Sequence, residues 1–321
     1  MRTHSEHSKQ SISILGLGYI GLPTAIISAQ NGYNVFGYDI DQERVDAINS
    51  GDPFIQEPEI ETRLQNVIEK KTFSASTELH EADIFIIAVP TPFKDEKKAD
   101  LSYVESATKA IASKIKSGNL VILESTVPVG TTDKIKEILE QETNLKSQQY
   151  FYIAHCPERV LPGKIFKEIV ENDRIIGGIC KKSTDMAYNF YKTFVTGNCY
   201  KTDAKTAELV KLIENSSRDV QIAFANQVSG MCNEAGINTF EAIELANKHP
   251  RVNILQPGCG VGGHCIAVDP WFLIESFPES TQLLQAARNV NDMKPKQVVD
   301  KILESITNLH SVRPFDRLRA N

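Results

Sequence analysis

Covalent and metal-based staples are scarce in this chain. Six cysteines are spread over 321 residues with no CxxC pair, which argues against a disulfide framework and against a zinc cluster. No apolar run approaches the roughly 20 residues needed to span a bilayer. The first ten residues, MRTHSEHSKQ, lack the apolar segment of a secretory signal. Net charge is −6, which argues against a broad nucleic-acid surface and obliges any anionic ligand to meet local positive groups. Internal repeats and low-complexity tracts are absent too. Together these absences predict a reduced, cytoplasmic protein with no membrane or nucleic-acid partner.

What remains has the composition of a globular protein, 41% hydrophobic and 24% charged, and is long enough for two domains. "SISIL" (11–15) is a β-rich run, followed by a helical stretch to about Asn31. "YNVFGYD" (33–39), "ADIFIIAVP" (82–90), "NLVILEST" (119–126), "FYIAHCP" (151–157) and "DRIIGGI" (173–179) read as further strands. Ser102 and Glu105 have capping-box spacing and mark a helix start. Strands alternating with helices predict an α/β fold, a Rossmann-like doubly wound sheet over 11–202 behind a polar tail at 1–10. From Asp203, a plausible N-cap, a single helix of ~33 residues and ~50 Å should run to Ala235 and stop at Gly236. "FEAIELANKH" and "STQLLQAARNVND" continue the helical pattern, which predicts a mainly helical second domain over 203–305 and a basic tail at 306–321.

Gly16, Gly18 and Gly21 form GxGxxG directly between a strand and a helix. The first glycine makes the turn, the second lets backbone approach a pyrophosphate, and the third allows close helix–strand packing. Tyr19 and Ile20 lie inside the same turn, at the helix N-terminus that would face the phosphates. Asp39 ends the second strand 18 residues after Gly21, where a carboxylate accepts from ribose hydroxyls and repels a 2′-phosphate, favouring NAD over NADP. Arg44 is placed either to reach the adenosine side or to sit solvated on its helix. Thr91 in "VPTP" and Thr126 in "ESTVPVGTT" follow strand ends, where the ligand crevice of such sheets lies; they would line the nicotinamide side or simply cap loops.

The second chemical signal is "PGCGVGGHCIAVDP" (257–270). Cys265 sits among glycines whose amides could stabilise charge near a thiol, and Asp269 follows four residues later. Lys211 and Asn215, four apart, share a helix face. Glu158, Arg159 and Lys164 follow another strand end. A thiol, a lysine, an amide and a carboxylate beside a hydride acceptor suit oxidation of an alcohol to an acid, the thiol adding to the intermediate aldehyde. The bland alternative is a small buried cysteine. Zinc through Cys259, His264 and Cys265 would need adjacent ligands and lacks a clear fourth, so no metal is expected. Cys156, Cys180, Cys199 and Cys232 have no comparable company and read as structural.

These motifs carry a resemblance. "GLGYIGLPTA", "AVPTPFK", "ILESTVPVGTT", "CPERVLPGK", "AELVKLIENSSRDVQIAFANQ" and "HPRVNILQPGCGVGGHCIAVDPWF" resemble, in this order, the UDP-glucose/GDP-mannose dehydrogenase family. The resemblance implies oxidation of a nucleotide sugar at C6 by two NAD-dependent steps, with Cys265 as nucleophile. It implies an oxyanion role for Lys211 and Asn215, a carboxylate beside the thiol at Asp269, and handling of water or proton by Glu158 with Thr126. Arg159, Val160, Lys211, Asn215, Arg218, His249, Arg251 and Gly260 fall where the substrate should bind. The implied substrate is a UDP-N-acetylhexosamine, manno or gluco at C2, and the implied assembly is a homodimer through the long helix. Family members continue with a second Rossmann-like domain that holds the UDP, whereas "SVRPFDRLRAN" does not resemble its beginning. The resemblance therefore implies a truncated chain, either a working dehydrogenase with weakened UDP binding or a non-catalytic remnant that binds NAD and dimerises. A simple β-hydroxyacid dehydrogenase would share both halves but has no use for the thiol.

Overall fold

The computed structural model describes residues 10–311; the polar N-terminal tail up to residue 9 and the last ten residues of the basic tail lie outside them. The chain forms two compact units, one ending at Leu212 and the other beginning at Ile213.

The first unit is an eight-stranded sheet. Its strands are β1 (Ser11–Leu15), β2 (Asn34–Tyr38), β3 (Phe73–Ser76), β4 (Ile84–Ile87), β5 (Leu120–Leu123), β6 (Tyr152–His155), β7 (Arg174–Gly178) and β8 (Cys199–Asp203). The helices between them are α1 (Gly21–Gln30), α2 (Gln42–Asn49), α3 (Ile60–Glu69), α4 (Ser102–Ala112), α5 (Thr131–Thr143), α6 (Ile165–Glu171) and α7 (Lys181–Tyr191). The strand order is β3-β2-β1-β4-β5-β6-β7-β8. Every neighbouring pair is parallel except β6 with β7. "IFII" and "LVIL" are buried at every position, because helices cover both faces of a parallel sheet. Alternate residues divide between two cores: Ile12, Ile14, Ile84 and Ile86 face one, and Leu15, Phe85 and Ile87 face the other.

The strand order reverses between β1 and β4, so the turns after β1, β4, β5 and β6 open on one edge of the sheet. That edge is where ligands bind in such folds. The antiparallel β7 brings its first residue to this same edge, since His155 pairs with Gly177 and Arg174 lies beyond the end of β6. Strands β3 and β8 had no counterpart in the sequence reading. One is four residues of "FSAS" and the other is the half-exposed, polar "CYKTD". The first alternates buried Phe73 and Ala75 with serines over only four residues, and the second is polar; hydrogen bonds to one neighbouring strand hold each of them at an edge of the sheet. The capping box at Ser102 does not form. Ser102 is already helical and its N–H donates to Asp100 Oδ1 at 3.0 Å, so the aspartate two residues earlier has taken the first free amide.

Helix α8 (Ala204–Ala235) begins as expected. The Asp203 carboxylate accepts from the Thr206 N–H (3.0 Å) and hydroxyl (2.6 Å). Its opening turns group with the first compact unit, which runs to Leu212. Buried Glu208 ties these turns to the start of α5: its carboxylate accepts from Gly130 N–H (2.6 Å), Thr132 N–H (2.7 Å) and Thr132 hydroxyl (2.6 Å). The second unit holds the rest of α8, then α9 (Thr239–Ala246), α10 (Asp269–Ser276) and α11 (Gln282–Ser311). The last helix contains Pro295 and continues into the segment read as tail.

Candidate active site

At the nucleotide end the three glycines divide their work as their spacing suggests. Gly16 has φ +91°, and a Cβ there would lie 2.7 Å from the Ala88 carbonyl oxygen. A Cβ at Gly21 would lie 1.9 Å from the Gly16 carbonyl oxygen, so neither position admits a side chain. At Gly18 nothing lies within 4 Å, which leaves that stretch of backbone clear for a pyrophosphate. The buried Asp39 carboxylate accepts from Leu17 N–H at 2.9 Å and Arg44 at 3.1 Å. It is thereby fixed at the end of β2 beside the glycine turn. The Arg44 guanidinium also stacks 5.0 Å over Phe54. An open glycine backbone, a helix N-terminus and a fixed carboxylate fit NAD. Two neighbouring loops are latched together: the Thr91 hydroxyl donates to the Thr126 carbonyl (2.6 Å), and the Ser125 hydroxyl to the Val89 carbonyl (2.7 Å). The Thr91 proton is therefore engaged in holding the loops, and its oxygen remains an acceptor.

Behind that edge lies a buried ionic cluster. Glu158, placed just after β6, pairs with Arg174 at 2.6 Å. Arg174 is 2% exposed and also lies 4.0 Å from Glu124, which directly follows β5 and accepts from the Tyr191 hydroxyl at 2.7 Å and the Thr24 hydroxyl at 3.4 Å. The Arg174 guanidinium stacks 4.6 Å from the Tyr191 ring centre and lies 3.7 Å from the Cys156 sulfur. Two buried carboxylates thus share one cation. Burial pushes Glu124 up to about 7 against the opposing pull of Arg174, and the nearby Glu158 adds to the rise. Burial likewise pushes the Cys156 thiol up to about 12 and holds His155 down at about 3.

This cluster sets a pH dependence whose sign is fixed. A carboxyl with its folded pKa raised binds more protons folded than unfolded, so its contribution is full below pH ~4.5 and is lost as pH rises through about 7. The contribution is on the order of 3 kcal/mol. His155 works in the opposite direction, losing stability as pH falls below its ordinary value, so the two partly cancel in the wild type. The Glu124 effect is isolated by comparison with Glu124→Gln in urea unfolding from pH 5 to pH 8. The variant should gain on the wild type from pH 5 to about 7 and level off above it; parallel profiles would show that Glu124 keeps an ordinary pKa.

In the second unit Cys265 is exposed in the loop ahead of α10, and its carbonyl accepts from Val268 N–H (3.0 Å) and Asp269 N–H (2.8 Å). Asp269, buried at the first turn of α10, accepts from the Asn215 amide at 2.6 Å. The loop is anchored from below. Gly258 N–H donates to the buried Asn226 Oδ1 (3.1 Å), Asn226 donates to Asn291 (2.9 Å), and Asn291 to Asp219 (2.8 Å), which pairs with fully buried Arg288 (2.6 Å). Gly260 lies against Pro295, where a Cβ would approach to 2.8 Å. The thiol loop thus rests on a hydrogen-bonded seam between α8 and α11.

The remaining expected substrate residues are placed less closely. Lys211 and Asn215 stand one turn apart on α8, with exposed Arg218 a further turn on. The Arg159 guanidinium donates to the Asp173 carbonyl (3.2 Å), and Val160 packs against the hydrophobic core. His249 and Arg251 are exposed, with Arg251 N–H donating to His249 Nδ1 at 3.3 Å. Sequence reasoning missed Arg174, Tyr191, Glu124, Glu57 and the Asn226 seam. Glu124 alone left a signal, a carboxylate directly after the four buried residues of β5.

Comparison with known proteins identifies the family. The family model for the UDP-glucose/GDP-mannose dehydrogenase NAD-binding domain matches residues 10–195, and that for the central domain matches 205–293. The chain is 50% identical over 318 residues to a UDP-N-acetyl-D-mannosamine dehydrogenase of Methanococcus maripaludis, covering 98% of this chain and 72% of that one. It is 51% identical over 303 residues to an NDP-N-acetyl-D-galactosaminuronic acid dehydrogenase of Ralstonia nicotianae, covering 92% and 72%. A solved UDP-D-ManNAc dehydrogenase from Pyrococcus horikoshii superposes with a TM-score of 0.90 at 46% identity, covering 94% of this chain and 72% of that one. With a nucleotide turn built for NAD and a thiol loop in a separate helical unit, the chain belongs to the UDP-glucose/GDP-mannose dehydrogenase family and is an NAD-dependent nucleotide-sugar dehydrogenase.

Proposed function

We propose that this protein oxidises C6 of UDP-N-acetyl-D-mannosamine to the carboxylate, in two successive oxidations with Cys265 as the covalent nucleophile. The observation that carries this reading is the exposed Cys265 on its anchored loop, with Asp269 and Asn215 hydrogen-bonded beside the same turn. The names of the relatives support the substrate class. NAD, when bound, accepts hydride from the substrate carbon once in each oxidation.

The chain's own residues do the rest. The C6 hydroxyl loses its proton as the aldehyde forms, and the Cys265 sulfur then adds to the carbonyl carbon to give a thiohemiacetal. The Asn215 amide has two N–H groups; Asp269 takes one and the other is left for the developing oxyanion, together with the Lys211 ammonium. Oxidation of the thiohemiacetal gives a thioester, which water cleaves to the carboxylate and the free thiol. Glu158, oriented by Arg174, and Thr126 direct that water. The sum is one alcohol, one water and two NAD in, and one carboxylate, two NADH and three protons out. We read the assembly as a homodimer through the helical unit, whose Phe224, Met231 and Phe240 are more than half exposed. No helix among the described residues is long and apolar enough to cross a membrane.

The test is NADH formation with UDP-N-acetyl-D-mannosamine and, separately, its gluco and galacto counterparts. Two NADH per manno sugar, with the epimers slower, is the expected result. No NADH from any of them, while NAD still binds, would favour the non-catalytic reading.

A further inference from the structure

Glu57 is buried, carries no part of the chemistry above, and joins three segments of the first unit. Its Oε1 accepts from the Tyr19 hydroxyl, inside the glycine turn, and from Gly163 N–H at 2.5 Å. Its Oε2 lies 3.5 Å from Ile165 N–H, at the first turn of α6, where no residue of the helix caps its own end. Gly163 has φ +84°, a conformation that suits glycine and aims its N–H at the carboxylate. The segment that carries Glu57 also carries Phe54, which stacks under the same Arg44 that holds Asp39. One stretch of chain therefore touches the nucleotide turn at Tyr19, the Arg44 that holds Asp39, and the 158–165 loop at Gly163 and Ile165. Burial and Glu57 together push the Tyr19 hydroxyl up to about 12, so it remains a donor.

We propose that Glu57 is a positioning residue that couples the nucleotide turn to the 158–165 loop, so that NAD binding orders the loop carrying Glu158, Arg159 and Val160. The assignment of that loop to substrate rests on the function proposed above; the coupling itself does not. Ligand at the turn fixes Tyr19, a fixed Tyr19 fixes the carboxylate, and the carboxylate holds the amides of Gly163 and Ile165. The other side of the loop has its own supports. Glu168 accepts from Leu161 N–H (2.8 Å), and the Asn172 amide donates to the Arg159 carbonyl (2.9 Å). Loss of Glu57 should therefore loosen the link without unfolding the loop. Coupling of this kind is reciprocal and usually amounts to between about 5-fold and 150-fold.

The experiment is amide hydrogen exchange on the whole chain, with and without saturating NAD. It compares wild type, Tyr19→Phe, Glu57→Ala and Glu57→Gln, and follows the 158–166 segment. In the wild type NAD should slow exchange at Gly163 and Ile165 by about tenfold. Tyr19→Phe and Glu57→Ala should abolish the NAD-dependent slowing, whereas Glu57→Gln, which keeps an acceptor oxygen, should retain part of it. A residue that only braced the loop would raise exchange equally with and without NAD. Slowing in Tyr19→Phe and Glu57→Ala equal to the wild type's, or no slowing in the wild type, would overturn the proposal. Neither outcome depends on turnover, so failure of the substrate reading would appear only in the NADH assay.

Discussion

Cys265→Ser should form no acid at a measurable rate, a loss of at least about 10³-fold, while binding NAD as the wild type does. A serine hydroxyl in the same loop is a far weaker nucleophile at neutral pH than a thiol, so the covalent adduct that prepares the aldehyde for its second oxidation does not form. The substitution nearly conserves side-chain shape, and the loop is held through Gly258, Asn226 and Pro295. NAD affinity should not change, since the glycine turn and Asp39 are left intact. The measurement is the yield of uronate and of NADH in single-turnover mixtures of enzyme, NAD and UDP-N-acetyl-D-mannosamine. Wild-type acid production by the variant would remove Cys265 from the mechanism, and the proposed covalent route with it.

Arg174→Met should cost about 3–5 kcal/mol of stability, the usual penalty for leaving a buried charge without its partner. Arg174 is the cation between Glu158 and Glu124, and all three are buried. Methionine fills part of the volume but leaves two carboxyls against each other and against the Tyr191 ring. Much of the loss reflects stranded charge more than lost attraction, so Arg174→Met combined with Glu158→Gln should be more stable than Arg174→Met alone. Urea unfolding at pH 8, where Glu124 is ionised in the wild type, reads both. A single variant within about 1 kcal/mol of wild type would mean that water already screens the cluster, as it does for surface pairs.

The parts legible in the sequence were those whose signals are local. The turn from β1 into α1 is written in consecutive residues, and the Asp39 carboxylate follows at the end of the next strand. The central strands announced themselves as unbroken apolar runs, and α8 as a long stretch without proline closed by Gly236. Lys211 and Asn215 needed only helical spacing to be placed on one face. The edge strands were nearly silent because "FSAS" alternates over only four residues and "CYKTD" is polar. Ser102 misled because the alternative cap two residues earlier competes for the same amide, and capping-box spacing does not reveal which oxygen wins.

What the sequence by itself determined is the run of central strands with the long helix after them, the nucleotide turn with its carboxylate, and the presence of a thiol in a glycine-rich loop. Only the tertiary structure decided which charges meet. Arg174 opens a strand that runs against its neighbour, and that reversal brings its guanidinium to Glu158 and Glu124, 16 and 50 positions earlier in the chain. Glu57 reaches Gly163 across more than a hundred residues, and Pro295 supports Gly260 from inside a helix. The reason is physical. Backbone conformation and amphipathic period are properties of neighbouring residues, whereas a buried ion pair or a carboxylate bridge exists only after the chain has folded and excluded the water that would otherwise solvate each group separately.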